Sequence, residues 1–304
     1  MKKVRMPKIK VLAIVGPNAS GKSALAVRLA RRFGGKIISA DSRQVYRRLD
    51  IGSGKITKRE MQGIPHHLLD VADPRRPYSA GQYQRDASQV LRYIVTKNKL
   101  PIICGGTGFY IDALLGVISL PEVPPNLKLR KALVKKSTPK LYTILKKLDP
   151  QRAKTIDRHN PVRLIRAIEV AKALGRVPRP SRTSHYDVLK IGIKLSDTEL
   201  KKRIHRRLLA RMHKGMVAEA KHLHAKGLSW KRMEGLGLEY RYLAYYLQRK
   251  MTKKEMLEKL EREIWHYSKR QMRWFKRDKE IIWISPKNIP AAISRTQHWL
   301  RPKS

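Results

Sequence analysis

The hydrophobic positions near the N-terminus change from the period of a strand to that of a helix. KVLAIV (10–15) is a short β-branched run that stops at Gly16, and it predicts a strand. The following segment, SALAVRLARRF, places Leu25, Leu29 and Ala30 on one helical face. The pattern therefore predicts a strand, a loop and a helix in succession.

The same order returns further along the chain. KIISA (36–40) predicts a second strand, and LPIICGG followed by IDALLG (100–116) predicts another strand, turn and helix. Strands that alternate with helices favour an α/β fold, a P-loop NTPase-like parallel sheet with helices on both faces. Ligands of such sheets bind beyond the carboxyl ends of the strands. Three predicted loops lie at such ends, and they contain Gly16, Asp41 and Thr107.

The pattern changes near residue 119. PEVPP indicates a linker, and the basic segment after it is mainly helical with few strand-like runs. GRVPRPSRTSHYD (175–187) predicts an exposed loop, and LKIGIKL predicts a strand that returns to the sheet. We therefore expect a core in 1–118, a helical insertion domain in 119–188, and a return to the core with basic C-terminal helices in 189–304.

Two capping boxes predict long helices in the last third of the chain. SDTE (196–199) precedes an apolar stripe, and most arginines of that helix lie off the stripe. The stripe consists of Leu200, Ile204, Leu208 and Met212, and the arginines are Arg203, Arg206 and Arg207. TKKE (252–255) precedes a second, strongly basic helix, whose apolar positions are Leu257, Leu260, Ile264, Tyr267 and Trp274.

The charge of the chain indicates more about its partner than the hydropathy pattern does. Lys and Arg number 69 against 23 Asp and Glu, which gives a formal net charge of +46. Such an excess indicates a polyanionic partner, nucleic acid first, although an anionic membrane surface or a generally basic composition also remains open. Cys104 is the only cysteine, so a disulfide within the chain is excluded and a reducing compartment is expected. The sequence shows neither a signal-peptide core nor an apolar stretch long enough to span a membrane.

A phosphate-binding motif follows the first predicted strand. GPNASGKS fits G-x-x-x-x-G-K-[ST], typical of proteins that bind ATP or GTP, and its context of strand before and helix after is the expected one. Backbone N–H groups and a helix N-terminus would point at the anion, with a lysine charge and a serine hydroxyl for Mg²⁺. The diphosphate-binding candidates are Gly16, Pro17, Asn18, Ala19, Ser20, Gly21, Lys22 and Ser23, and Ser23 is the metal-binding candidate.

Asp41 has three interpretations. A clear Walker-B strand, an apolar run that ends in a metal-binding aspartate, is missing: LPIICGG ends in glycine and IIWIS in serine, and only KIISAD and HHLLD end in aspartate. Asp41, directly after KIISA, could hold the metal ion, could be a general base that faces the substrate, or could cap a helix.

Seven segments together resemble one enzyme family. GPNASGKS, ISADSRQVYRRLDIGSGK, PHHLLD, YSAGQYQRDA, GGTGFYIDALL, RLIRAIEV and KRQMRWFKRD occur in this order. In this order they are similar to the tRNA dimethylallyltransferases of the bacterial type, from about residue 10 to 278, and the DSRQVY and GGTGFY blocks are the most specific. The resemblance implies transfer of a dimethylallyl group from dimethylallyl diphosphate to N6 of adenosine 37, next to the tRNA anticodon, with release of pyrophosphate.

The resemblance also implies roles for individual residues. The phosphate loop would hold the donor's diphosphate with Mg²⁺, and Lys22, Asp41 and Thr107 would be catalytic, with Asp41 as the base. The expected tRNA contacts are Asp41, Ser42, Arg43, Gln44, Thr107, Arg130, Arg163, Arg166, Glu239, Tyr240 and Arg241. The implied partners are the anticodon stem-loop and dimethylallyl diphosphate, for a cytoplasmic enzyme that we expect to be a monomer without a membrane partner.

Two departures and two alternatives remain. His159-Asn160 stands where the family usually has Asn-Asp, and Glu239 stands where it commonly has glycine before Tyr240. A P-loop kinase of a small metabolite or nucleotide would explain the phosphate loop and Asp41 but not the charge. An RNA-binding protein without transferase activity would explain the charge but leave DSRQVY and GGTGFY without a role.

Overall fold

The computed structural model describes residues 8–118, 120–178 and 186–302, and it divides the chain into two compact units. The first unit consists of Met1–Leu115 and Ser184–Ser304, and the second is Gly116–Thr183. The second unit thus starts three residues before the insertion predicted as 119–188. It also ends before residue 188, because strand β5 (Tyr186–Ile193) belongs to the sheet of the first unit. Residues 179–185 of the predicted loop 175–187 lie outside the described residues.

A parallel sheet forms the centre of the first unit. In the described part of the chain it has six strands, in the order β3–β2–β4–β1–β5–β6, and every neighbouring pair is parallel. The strands are β1 (Ile9–Val15), β2 (Gly35–Ser39), β3 (His66–His67), β4 (Leu100–Gly105), β5 and β6 (Ile282–Ile284). The predicted α/β fold with a parallel sheet is confirmed.

Helices cover both faces of this sheet. Alternate residues of β1 point to opposite sides: Val11, Ala13 and Val15 pack against one set of helices, and Leu12 and Ile14 against another. The first set contains α3 (Ala80–Thr96) and α4 (Gly108–Leu114), and the second contains α1 (Lys22–Phe33) and α14 (Ile289–Leu300). This burial on both faces explains why β1 reads as a continuous apolar run.

The first unit has a separate helical core, built mainly from five helices between β5 and β6. Its helices are α9 (Asp197–His213), α10 (Met216–Ala225), α11 (Trp230–Glu234), α12 (Leu238–Leu247) and α13 (Lys253–Phe275). The short α2 (Lys58–Met61) lies between β2 and β3 in the sequence. The predicted stripe of α9 is buried at Leu200, Ile204 and Leu208, whereas Met212 is only partly buried.

The two predicted capping boxes differ in the structure. Thr252 and Glu255 form the complete reciprocal box at the start of α13. At α9 only half of it forms: Ser196 accepts from the Glu199 N–H, but the Glu199 carboxylate pairs with Arg203 at 2.7 Å. The prediction of a full box at 196–199 is therefore wrong, because a neighbouring guanidinium competes for the carboxylate.

The second unit is helical, as the change in sequence pattern predicts. It contains α5 (Leu127–Val134), α6 (Thr138–Leu148), α7 (Pro150–Thr155) and α8 (Pro161–Leu174). Leu133, Leu141, Leu145, Leu164 and Ile168 form its buried core. None of the helices in the described residues is both long and apolar enough to cross a bilayer.

Close contact between two strand ends generates a stability prediction. Gly105 ends β4, and a Cβ built on it would overlap the Ala40 carbonyl group and lie 2.7 Å from Ala40 Cβ. Gly105→Ala should therefore lower the free energy of unfolding by about 2–3 kcal/mol, as overpacking does. Gly81→Ala is the matched control, since a Cβ there has only ordinary contacts in α3 and alanine favours a helix. Urea unfolding of both variants checks this, and equal stability would contradict it.

Candidate functional site

The phosphate loop connects β1 to α1 and leaves the helix N-terminus free for an anion. Gly16 and Gly21 have φ of 150° and 97°, values that favour glycine, and Gly21 provides no side chain to cap α1. A Cβ on Gly16 would also lie 3.0 Å from Ser20 Oγ and 3.1 Å from the Ile193 carbonyl oxygen. The first N–H groups of α1 are thus available, and the helix dipole favours a negative ligand there.

Lys22 supplies the positive charge of the loop from a buried position. Its Nζ donates to the Pro17 carbonyl at 3.2 Å, and the residue is 9 % exposed. Burial, with the charges of Arg207 and Arg211, lowers the pKa of Lys22, whereas Cys104 and Asp41 act in the opposite direction. Among the described residues Lys22 forms no ion pair with a carboxylate, so its charge is available to a bound anion.

The loop residues are compatible with Mg²⁺ that is shared with a phosphate ligand. The described residues hold no group of three or more His, Cys, Asp or Glu side chains placed to bind a metal ion. Mg²⁺ does not need one, because it usually keeps several waters and binds one or two protein oxygens together with phosphate oxygens. Ser23, the candidate ligand, is half-buried next to the Cys104 thiol, and burial raises the pKa of that thiol to about 11.

Asp41 and Thr107 meet at the carboxyl edge of the sheet. Their strands β2 and β4 are neighbours in register, and the Thr107 N–H donates to the Ala40 carbonyl at 3.1 Å. Thr107 Oγ1 accepts from the Ser42 N–H at 3.0 Å. Two residues that are far apart in sequence therefore lie on adjacent segments joined by hydrogen bonds, as their positions after parallel strands predict.

The Asp41 carboxylate caps a turn. Its Oδ1 accepts from the N–H groups of Arg43 at 2.9 Å and Gln44 at 3.4 Å, and residues 42–45 form a turn. The helix-cap interpretation of Asp41 is therefore wrong, since no helix begins there. These bonds fix the carboxylate through one oxygen and orient the other.

Gln44 and Arg43 are held by backbone carbonyl groups. Gln44 Nε2 donates to the Gly54 carbonyl at 3.3 Å, and Arg43 Nη1 lies 3.5 Å from the Gly235 carbonyl oxygen. Both side chains are half-buried. The amide oxygen of Gln44 has no partner among the described residues, so it remains available to a donor such as an exocyclic amine.

Arginines of α9 reach the phosphate loop and the turn that ends at Gly54. Arg203 Nη1 donates to the Ser20 carbonyl at 3.4 Å, and Arg207 Nη2 to the Gly54 carbonyl at 3.1 Å. Burial, followed by repulsion from Arg211, lowers the pKa of Arg207 to about 10, so this arginine is still charged at neutral pH. The buried Lys22 and the half-buried Arg207 thus supply two positive charges to the site.

Gln271 of α13 joins two of the loops. Its Oε1 accepts from the Asn18 N–H at 2.9 Å, and its Nε2 donates to the Gly106 carbonyl at 2.9 Å. The residue is 5 % exposed. One amide thus connects the phosphate loop to the segment that carries Thr107.

Comparison with known proteins shows the family to which the chain belongs. A family model described as IPP transferase matches residues 44–278. The chain belongs to the IPP transferase family. The resemblance drawn from the seven motifs is confirmed.

Individual relatives are similar to this chain over nearly its whole length. The chain is 42% identical over 300 residues to tRNA dimethylallyltransferase 1 of Syntrophus aciditrophicus, which covers 96% of this chain and 98% of the relative. The tRNA isopentenylpyrophosphate transferase structure of Bacillus halodurans matches at 33% identity with a TM-score of 0.74, covering 96% of this chain and 97% of that one. A eukaryotic dimethylallyltransferase has the same fold, with a TM-score of 0.81 at 23% identity, over 97% of this chain and 80% of that one.

The segment around residue 240 requires a correction. Tyr240 is 1 % exposed, and its hydroxyl donates to Glu219 Oε1 at 2.8 Å, so the predicted direct contact of Tyr240 with tRNA is wrong. A buried aromatic ring with a satisfied hydroxyl is a core residue. Arg241 is exposed and donates to the Glu234 carbonyl at 3.2 Å, whereas Glu239 pairs with Arg211 at 3.2 Å.

The three predicted tRNA-contacting arginines of the helical unit are not equivalent. Arg130 forms two bonds to Glu169, at 2.9 and 2.7 Å, and Arg166 also binds Glu169 and donates to the Val123 carbonyl at 3.0 Å. Arg163 is exposed and lies 3.6 Å from an Asp157 oxygen. Contact of these arginines with tRNA stays a prediction, but Arg130 and Arg166 also have a structural role within their unit.

Sequence reasoning missed Arg207, Arg211 and Gln271 as site residues. The two arginines belong to a helix with many basic residues, so their residue type did not distinguish them from a solvated face. Gln271 lies in the KRQMRWFKRD motif, and the available signal was an uncharged amide among basic and aromatic residues.

Glu169 generates a prediction for acid stability. Burial alone raises the pKa of its carboxyl, but bonds from Arg130, the Asn126 N–H and Arg166 outweigh burial and bring the pKa down to about 2. A carboxyl whose pKa is lower in the folded state stabilises above its unfolded value of 4.5, and loses that contribution as the pH falls towards about 2. Glu169→Gln should therefore be less stable than wild type at pH 7, and the difference should shrink below about pH 4.5.

Chemical denaturation at a series of pH values measures this difference. Glu122→Gln removes an exposed carboxylate from the same unit and is the control, with a small and pH-independent effect expected. A constant difference between wild type and Glu169→Gln from pH 7 to pH 2 would contradict the assignment.

Proposed function

We propose that this protein transfers the dimethylallyl group from dimethylallyl diphosphate to N6 of adenosine 37, next to the tRNA anticodon, and releases pyrophosphate. The observation that carries the proposal is the meeting of the phosphate loop with Asp41 and Thr107 at one sheet edge, through Gln271 and the Ala40 backbone. The tRNA dimethylallyltransferase names of relatives such as that of Syntrophus aciditrophicus support the reaction.

The donor half of the reaction needs stabilisation of the leaving diphosphate. Breaking the allylic C–O bond leaves negative charge on the bridging oxygen of pyrophosphate. The free N–H groups of α1 and the Lys22 ammonium would attract that charge, and Arg203, which pairs with Glu199, lies beside them at the Ser20 carbonyl. Ser23 would bind Mg²⁺, which when present neutralises part of the diphosphate charge.

The acceptor half needs a base for the exocyclic amine. As N6 attacks the allylic carbon, the nitrogen must lose one proton. The Asp41 oxygen that does not cap the turn is the proposed acceptor of that proton, since the turn holds Oδ1 through two N–H groups. Thr107 Oγ1, fixed by the Ser42 N–H, would orient the reacting groups, and the free oxygen of the Gln44 amide would accept a hydrogen bond from the adenine.

The charge of the chain suits the proposed polynucleotide substrate. A net charge of +46 supplies the nonspecific attraction to phosphates, which weakens as salt rises. The exposed Arg163 and Arg241, with Arg43 beside the catalytic turn, are proposed contacts, and Arg130 and Arg166 would add to them while bound to Glu169. We further propose that the enzyme acts in the cytoplasm. We also propose that it is a monomer, because one chain contains all of the proposed donor-site residues.

A transfer assay tests the proposal directly. Purified protein is incubated with unmodified tRNA, Mg²⁺ and either dimethylallyl diphosphate or ATP, and the nucleosides of the digested tRNA are weighed. We expect a dimethylallyl-adenosine mass with dimethylallyl diphosphate only, and no turnover of ATP. ATP hydrolysis that disappears in Lys22→Ala, without nucleoside modification, would instead identify a kinase or an ATP-hydrolysing RNA-binding protein.

Asp41→Asn separates the proposed base from a metal ligand. Asparagine keeps the size and the turn-capping oxygen but loses the basicity, so single-turnover transfer should slow by about 10²–10⁴-fold while tRNA and donor still bind. The measurement is transfer across a Mg²⁺ titration, with a thermal melt of the same sample. Recovery of the rate at high Mg²⁺ would refute the base and support a metal ligand, and wild-type transfer would refute both roles.

A further inference from the structure

Two arginines of α9 converge on one turn near the donor site. Arg207 and Arg211 are one helical turn apart, and they donate to the Gly54 and Gly52 carbonyls at 3.1 and 3.3 Å. A Cβ built on Gly54 would overlap guanidinium nitrogens of both side chains. Two like charges are therefore packed against the same glycine, an arrangement that repels unless an acid balances it.

Glu239 provides that acid for only one of the two arginines. Its Oε1 lies 3.2 Å from Arg211 Nη1, and the two side chains are 13% and 11% exposed. Within the described residues, neither Arg207 nor Lys22 forms an ion pair of its own. Because the Glu239–Arg211 pair is sheltered, salt screens it little. Asp41 attracts both Lys22 and Arg207 without an ion pair to either, so among the described residues Arg211 is the one member of the cluster that forms an ion pair.

The charges of this cluster act on one another. Repulsion from Arg211 contributes to lowering the pKa of both Lys22 and Arg207, and Glu239 opposes the shift at Arg207. A change of one charge at Glu239 would therefore alter the potential at the phosphate loop. The position is also one of the two departures of this chain from the resembled family, which commonly has glycine where Glu239 stands.

Resting on the proposed function, we propose that Glu239 is a positioning residue that neutralises Arg211 and so limits how tightly the site holds the pyrophosphate product. A diphosphate needs cations for bond cleavage, but an additional free guanidinium would also bind the released pyrophosphate and delay its exit. Glu239 holds Arg211 on the Gly52 carbonyl, so that Lys22 and Arg207 remain the unpaired cations. The residue acts on the pyrophosphate through Arg211 and does not itself contact it.

Calorimetric titration with pyrophosphate at a fixed Mg²⁺ concentration tests this inference on the full-length protein. Glu239→Gln keeps the size of the side chain and removes its charge, and it should bind pyrophosphate roughly fivefold or more tightly, as a unit charge across a partly buried site predicts. Steady-state turnover should then fall below the single-turnover rate. A structurally damaged site would instead bind pyrophosphate more weakly than wild type, which is the opposite of the expected change.

Three further variants make the test specific. Glu261→Gln removes a carboxylate from an exposed pair with His205 and should leave pyrophosphate affinity unchanged. Arg211→Met leaves Glu239 without its partner and should weaken pyrophosphate binding, whereas the double variant Glu239→Gln/Arg211→Met restores neutrality and should return close to the wild-type affinity. A thermal melt establishes that each variant is folded.

The possible results separate the inference from the function on which it rests. Unchanged or weaker pyrophosphate binding by folded Glu239→Gln would overturn the inference while the donor site stands. If that variant does not fold, wild-type affinity in Arg211→Met would overturn it equally. Wild-type protein that binds no pyrophosphate would overturn the proposed donor site itself, and the inference with it.

Discussion

The two hydrogen bonds of the Gln271 amide are the interaction on which the arrangement of the site depends. A primary amide can accept from the Asn18 N–H and donate to the Gly106 carbonyl at the same time, which a carboxylate or an ammonium group cannot do. The bond to Gly106 is buried and the bond to Asn18 is partly buried, and together they set the distance between the phosphate loop and the Thr107 segment. The donor and acceptor halves of the proposed reaction are therefore fixed relative to each other by one side chain.

The helices after the insertion complete a site that the sheet only begins. The sheet delivers the phosphate loop, Asp41 and Thr107 to one edge, while α9 adds Arg203 and Arg207, and α13 adds Gln271. Lys22 and Arg207 lack a carboxylate partner among the described residues, whereas Arg203 pairs with Glu199, so two unpaired cations are preorganised for an anion before one binds. The Glu239–Arg211 pair sets the limit of that preorganisation, because it keeps one guanidinium away from the anion.

The structural features that depend on local sequence pattern can be predicted from the sequence. The parallel sheet follows from strand and helix periods, the phosphate loop from its motif, and the meeting of Asp41 with Thr107 from their positions after neighbouring strands. The contacts of Arg207, Arg211 and Gln271 depend on how distant helices pack, which no local pattern encodes. For the same reason Tyr240 is a core residue although the resemblance implies a tRNA contact. Glu199 is a different case: it pairs with Arg203 one turn along the same helix, a local competitor of the capping box.

The role of Gln271 can be tested by a substitution that preserves its volume and removes its hydrogen bonds. Single-turnover transfer from dimethylallyl diphosphate to tRNA is measured for Gln271→Met, below the melting temperature of the variant. If one amide fixes the two halves of the site, the transfer rate should fall by about 10²-fold while the protein remains folded, since a displacement of about 1 Å costs that much. A folded Gln271→Met enzyme with the wild-type transfer rate would contradict the account.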